Sequence, residues 1–134
     1  MLIEFMPSVP YFEICTAVQN LSRAGYVPVI AHAERYRCLR KGKRLEELIG
    51  LEALIQMNYR SVGGSWHDVT THWCRNNLKK GNAHLRGTDM HNTGNRMPDT
   101  KEAMSWMRTH LDRKYLKKIT KDNALRITEN KIIR

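Results

Sequence analysis

Apolar positions along the chain fall into two alternating rhythms: short runs with strand character, and longer stretches in which every third or fourth residue is apolar. Met1 to Phe5 reads as a strand. Pro10 to Ala24 reads as a helix, with proline suited to its first turn, Ile14, Ala17, Val18 and Leu21 on one face, and Gly25 as its stop. Tyr26 to Ala31 is a second strand, Arg44 to Ile49 lies in a short helix, and Ala53 to Asn58 is a third strand. Ser65 is placed to cap a helix that carries Trp66, Val69 and Trp73 on one face and ends at Gly81. Ala83 to Thr88 is the fourth strand. Beyond a loop with Gly94 and Pro98, Asp99 and Glu102 fit a capping box for a helix carrying Ala103, Met104, Trp106 and Met107. Asp112 to Ile127 forms a last helical region in two pieces.

Strands separated by helices pair in parallel, because each helical crossover returns the chain to the same end of the sheet. The expected fold class is therefore α/β, with four parallel strands alternating with helices in one domain over residues 1–134. Such a set makes half a barrel or a small open sheet. A strand that opens at Met1 leaves no room for a preceding cap or turn, so the chain is expected to begin inside a larger architecture.

Side chains alternate across a strand, so parity assigns faces. Leu2 and Glu4 share one in the first strand, Pro28, Ile30 and His32 in the second, Leu54, Gln56 and Asn58 in the third, and Leu85, Gly87 and Asp89 in the fourth, with His91 following at the same parity. Each series begins apolar and ends polar. Parallel sheets and barrels collect ligands at the carboxyl ends of their strands, so Glu4, His32, Asn58, Asp89 and His91 are expected to converge there. Neighbouring carboxylates in a low dielectric repel unless a cation lies between them. Carboxylate and imidazole donors suit manganese, iron or zinc.

Each residue has a plainer reading on its own. Asp89-Met90-His91 resembles an Asx-turn with an incidental histidine, His32 a satisfied polar residue, and Glu4 an ion-paired carboxylate. Their matched positions at three strand ends favour a common site. Arg35 and Arg96 lie in the loops that should rim it, and guanidinium binds phosphate in bidentate fashion, which together with a metal describes phosphoester chemistry. Glu34 is placed to pair with Arg35 or Arg37.

A net charge of +10, from 23 Lys and Arg against 13 Asp and Glu, adds an attraction to anions. The basic residues thicken at Arg108, Arg113, Lys114, Lys117, Lys118 and Lys121, where a solvated helix face is the default expectation. Nucleic acid is not the expected partner, because no aromatic platform interleaves the charges. Cys15, Cys38 and Cys74 match neither a disulfide framework nor a zinc knuckle; Cys15 and Cys74 read as small buried hydrophobes. No apolar run reaches the roughly 20 residues that span a bilayer, so no membrane insertion is expected.

The stretches "LIEF", "GYVPVIAHAERYR", "TDMHNTGNRMP" and "DNALRITENKIIR" resemble the metal-dependent bacterial protein-tyrosine phosphatases of the polymerase and histidinol phosphatase superfamily. The similarity runs the whole chain but corresponds to about the C-terminal half of a usual member. It implies a partial, distorted β/α barrel with divalent metals, manganese or iron, at its carboxyl face. Glu4, His32, Asp89 and His91 match metal ligands, and Arg35 and Arg96 match phosphate-binding arginines. The implied substrate is phosphotyrosine on a cytoplasmic tyrosine kinase that governs capsule and exopolysaccharide synthesis, hydrolysed by metal-activated water without a cysteine nucleophile. The family's N-terminal His-x-His motif and its neighbouring ligands have no counterpart here, so the chain is expected to be a fragment, the product of a misplaced start, or a protomer completing its barrel in a homo-oligomer. Another phosphomonoesterase of the superfamily would use the same residues. A relic that binds phosphorylated or acidic protein segments without hydrolysis, through Arg35, Arg96 and the basic C-terminal helix, is the alternative of a different class.

Overall fold

Alternation along four parallel strands divides the apolar residues of the sheet between two unlike faces. The computed structural model describes residues 1–89 and 100–133. The strands are β1 (Leu2–Ile3), β2 (Val29–Ile30), β3 (Leu54–Asn58) and β4 (Leu85–Gly87), arranged in the order β1-β2-β3-β4 with every pairing parallel. Leu2 is level with Val29, Val29 with Leu54, and Gln56 with Leu85. The α/β class and its four parallel strands read from the sequence are thus observed, although β1 and β2 are only two residues long.

The connections supply helices α1 (Tyr11–Arg23), α2 (Arg44–Gly50), α3 (Tyr59–Gly63), α4 (Val69–Lys79), α5 (Lys101–His110), α6 (Arg113–Lys117) and α7 (Asn123–Thr128). Two 3₁₀ turns, Ala33–Arg35 and Arg37–Arg40, lie between β2 and α2, and a π-helical turn, Lys118–Asp122, joins α6 to α7. Ile30, Ile55 and Met57 form one buried cluster with Ile14 and Val18 of α1, Leu45 and Leu48 of α2, Val62 of α3, Cys74 and Leu78 of α4 and Met107 of α5. Burial of each large aliphatic side chain contributes about 1.5–3 kcal/mol, so this cluster anchors the sheet. Gly63 lets α3 approach α5 closely, since a Cβ there would stand 3.0 Å from the backbone nitrogen of Ala103. On the opposite face Val29, Leu54 and Leu85 form a small separate cluster against Ile133. That face is lined by an open groove of about 590 Å³, and Leu2 is 67% exposed.

Several expectations need correction. Helix α4 is capped by Asp68, not Ser65: its Oδ2 accepts from the Thr71 amide at 2.7 Å and from Thr71 Oγ1 at 2.8 Å. Those two hydrogen bonds hold the carboxyl below its ordinary range. Trp66 is consequently 77% exposed rather than on a core face, and the buried residues of α4 are Thr71, Cys74, Asn77 and Leu78. Tyr59–Gly63, a stretch to which the spacing assigns no element, forms α3. Helix α5 has Thr100 at its cap without a side-chain bond, and Asp99, Gly94 and Pro98 lie outside the described residues. The C-terminal region is broken in three, with Asp112 capping α6 through Lys114 and Tyr115. Arg108, Arg113, Lys114, Lys117 and Lys121 are exposed, as a solvated face requires, whereas Lys118 in the π-helical turn is half-buried. Among the described residues no helix is long and apolar enough to cross a membrane.

Candidate metal and phosphate site

The polar ends of the strands meet on the face opposite the helices. Gln56 and Asn58 follow Leu54 along β3 and are nearly enclosed, at 8% and 6% exposure. In β2 the register puts Val29, not Ile30, level with Leu2 and Leu54, and Ile30 belongs to the helix-side cluster. The parity expected for Pro28, Ile30 and His32 is therefore wrong. Unbroken alternation would have aimed His32 among the helices. Instead His32 takes a left-handed backbone, φ 50° and ψ 45°, which ends the strand and brings its ring to the side of Asn58. Such a conformation costs about 1–3 kcal/mol for a residue with a Cβ. It is held by the His32 amide donating to Gln56 Oε1 at 2.7 Å and by the Arg35 amide donating to the His32 carbonyl at 2.8 Å. Asp89, beyond β4, is also left-handed, at φ 51°.

His32 Nε2 lies 3.7 Å from Glu4 Oε1 and 3.5 Å from Asp89 Oδ1. Arg35 completes the group, with its guanidinium paired to Asp89 Oδ2 and 3.7 Å from Glu4 Oε1. The His32 and Asp89 side chains are 13% and 14% exposed, whereas Arg35 is 44% and Glu4 60% exposed. The inner members are thus fixed by the sheet and the outer members face solvent. Of the predicted residues, Glu4, His32, Arg35 and Asp89 come together; His91 and Arg96 lie outside the described residues.

The residues behind the site were less visible. The Glu34 side chain, in a residue 2% exposed, is not seen paired with Arg35 or Arg37 as expected; its Oε1 accepts from the Asn58 amide at 3.1 Å and from Ser61 Oγ at 2.9 Å, while its carbonyl accepts from Arg40 at 2.9 Å. Arg86 donates to the Asn58 carbonyl at 2.5 Å and lies 5.1 Å from the Tyr59 ring centroid. Burial holds its guanidinium below the ordinary range. The Tyr36 hydroxyl accepts from the Phe5 amide at 3.0 Å, which pins the chain next to Glu4, and burial is the main cause raising the phenol above its usual range. Alternation of apolar and polar residues in "LIQMN" was the one available signal for Gln56 and Asn58; nothing local marked Glu34 or Arg86 as supports.

The donor set fits a divalent cation in kind: one imidazole nitrogen faces two carboxylates. Donors sharing an ion at ligand distances of 2.0–2.2 Å sit roughly 3.0–3.5 Å apart, close to the separations found. Among the described residues no three such side chains close fully around one point, and Arg35 supplies positive charge to both carboxylates.

The family profile described as capsular polysaccharide synthesis, CpsB/CapC, matches residues 1–129. The tyrosine-protein phosphatase CpsB of Streptococcus pneumoniae is 31% identical over 138 aligned positions, covering 98% of this chain and 57% of that protein. CpsB of Streptococcus agalactiae serotype V is 29% identical over the same shares. A chain from the crystal structures of YwqE from Bacillus subtilis and CpsB from Streptococcus pneumoniae, described as unique metal-dependent tyrosine phosphatases, superposes with a TM-score of 0.84 at 26% identity. That superposition covers all of this chain and 54% of the other. The chain thus spans a little over half the length of the relatives it matches, corresponding to their C-terminal part. With its α/β sheet, its strand-end site and a match that runs from residue 1 to residue 129, the chain belongs to the CpsB/CapC family of capsular polysaccharide synthesis proteins.

Proposed function

We propose that this chain is the C-terminal half of a barrel that hydrolyses phosphotyrosine with the help of a divalent metal, manganese in the first instance, with iron or zinc as substitutes. The observation that carries the reading is the meeting of Glu4, His32, Arg35 and Asp89 at the carboxyl ends of the strands in a chain of this family. Glu4, His32 and Asp89 would hold the cation, with His91 as a further donor. When bound, the cation supplies a Lewis acid and an activated water at neutral pH.

The chain's own residues do the rest. Arg35 sits beside the carboxylates with its guanidinium 44% exposed, so it can offer paired N–H groups to phosphate oxygens arriving from solvent and stabilise charge that builds on them. Arg96 would take the same role from the neighbouring loop. The nearly buried amides of Gln56 and Asn58 behind it keep His32 in place before substrate arrives. The substrate class is phosphotyrosine on a cytoplasmic tyrosine kinase acting in capsule or exopolysaccharide synthesis. The rest of the ligand set would come from polypeptide outside these 134 residues.

The test is hydrolysis of an aryl phosphate by the purified chain with and without manganese, alone and co-expressed with the N-terminal part of a family member. The expected result is manganese-dependent turnover that chelation removes and that His32→Ala or Asp89→Ala abolishes. Folded protein that binds manganese in neither form and turns over no aryl phosphate would overturn the reading.

A further inference from the structure

The orientation of the His32 ring is determined by a chain of hydrogen bonds that starts at a group whose role is fixed. A backbone N–H can only donate, and the His32 amide points at a Gln56 side-chain atom at 2.7 Å, which must therefore be Oε1. Gln56 Nε2 is then the donor, and it lies 3.1 Å from an Asn58 side-chain atom that must be Oδ1. The same Oδ1 lies 3.0 Å from His32 Nδ1. An oxygen at that position can only accept, so Nδ1 carries the proton and Nε2 of the neutral ring is left with its lone pair. Nε2 is the nitrogen 3.7 Å from Glu4 and 3.5 Å from Asp89.

Neither amide has an easy alternative. Flipping Gln56 would set its NH₂ against the His32 N–H, and flipping Asn58 would set two NH₂ groups together. Both side chains are more than nine-tenths buried, where an unpaired donor costs about 1–3 kcal/mol. Asn58 is held besides through its backbone, by Glu34 on the amide and Arg86 on the carbonyl. Gly87 leaves the amides their room: a Cβ there would lie 3.1 Å from Gln56 Cδ and 3.4 Å from Asn58 Oδ1.

We propose that Gln56 and Asn58 are positioning residues that lock His32 in its Nδ1–H tautomer, so that Nε2 is presented as a lone pair between Glu4 and Asp89. This deepens the metal-site reading and rests on it for its purpose, but the lock is a property of the metal-free chain. It explains why a polar pair is buried at the end of a strand that is otherwise apolar: an unheld ring would be free to put its N–H on a carboxylate, and Nε2 would then have no lone pair to give.

The experiment is a long-range ¹H–¹⁵N NMR spectrum of the ¹⁵N-histidine-labelled chain without metal, at about pH 8.5, roughly two units above the ordinary imidazole value. His32 is assigned by its loss in His32→Gln. The expected spectrum shows Nδ1 protonated and Nε2 bare. Asn58→Asp, which keeps an acceptor, retains that pattern; Asn58→Ala loses it, and so does Gln56→Glu, which still accepts from the His32 amide but no longer orients Asn58. Manganese affinity, read by titration calorimetry, falls about ten- to a hundredfold in Asn58→Ala. A wild-type ring protonated on Nε2, a tautomer mixture equal to that of Asn58→Ala, or an imidazolium at that pH overturns the proposal. A locked ring in a chain that binds no manganese, either alone or co-expressed with the N-terminal part of a family member, would leave the lock standing and the phosphatase reading refuted.

Discussion

Arg35 and Asp89 meet 54 positions apart in the chain, the guanidinium in an ion pair with one carboxylate oxygen while the other oxygen stands 3.5 Å from His32 Nε2. One carboxylate thus links the group suited to phosphate with the group suited to metal. Glu4 makes the same link more loosely, 3.7 Å from each. Two anions and one arginine leave the cluster with one formal negative charge, and a phosphate entering it would compete for the same guanidinium. Replacing Arg35 by alanine is expected to lower turnover of an aryl phosphate about 10²–10³-fold, the usual loss for one donor to developing negative charge. Arg35→Lys should recover part of it, since charge is kept and the bidentate fork is lost. Steady-state kinetics at saturating manganese would measure both, and unchanged kcat/KM in Arg35→Ala would remove the residue from the reaction.

The cysteines lead to a different expectation. Cys74 is fully buried in α4, and burial, aided by the Glu34 carboxylate, pushes its thiol up to about 12. At pH 7 its thiolate fraction is then roughly one in 10⁵. Cys38 is also raised, again mainly by burial and despite Arg44. Iodoacetamide at neutral pH should leave Cys74 unmodified in the native chain and leave metal-dependent turnover intact. Loss of turnover in step with alkylation of one cysteine, followed by mass spectrometry, would instead point to a thiol nucleophile.

How much of this was legible from the sequence varies with how local the deciding physics is. Period and punctuation located the strands and placed most of the helices, because burial of Ile30, Ile55, Met57, Leu45 and Leu48 follows from spacing alone. The convergence of Glu4, His32, Arg35 and Asp89 was legible from their place after the strands. The route by which His32 arrives was not: parity assumes an extended backbone, and a left-handed residue at the strand end reverses it. Trp66 misled for a related reason, since an apolar side chain at helical spacing looks like core until Asp68 takes the capping position and leaves it outside. Glu34 and Arg86 support Asn58 across 24 and 28 positions of chain, a relation that no local pattern encodes.

His84 introduces a pH dependence of stability that is separate from the site. It is held neutral by burial first and by Lys118 second, so its folded value lies below the ordinary 6.5 or so. Its Nδ1 accepts from the Ile55 amide at 3.1 Å, and a proton there would break that bond. Above about pH 6.5 both folded and unfolded chains are neutral at this residue and its contribution is complete. As pH falls below that value the unfolded chain takes up a proton that the folded chain refuses, so stability declines until the folded value is reached. His84→Asn, which keeps an acceptor without a titrating ring, should flatten that part of the profile. Urea unfolding between about pH 5 and 8 would read it, and an identical slope in the variant would assign the effect elsewhere.

Gly87 offers the sharpest link between packing and the site. An alanine Cβ at this position falls inside contact distance of the Gln56 amide, which is engaged on both sides and 8% exposed. The amide can yield only by breaking its bond to the His32 backbone or to Asn58. Gly87→Ala is therefore expected to cost about 1–3 kcal/mol of stability, as overpacking of a filled interior does. Gln56→Ala removes the obstructing group and should cost stability on its own through the unpaired His32 amide. In the double variant the clash is gone, so its loss should fall short of the sum of the two single losses by about 0.5–3 kcal/mol. A urea-unfolding double-mutant cycle measures that coupling directly. Strict additivity would mean that the glycine is tolerated for its backbone and that the amide pair has room to move, which would also weaken the case for a locked His32.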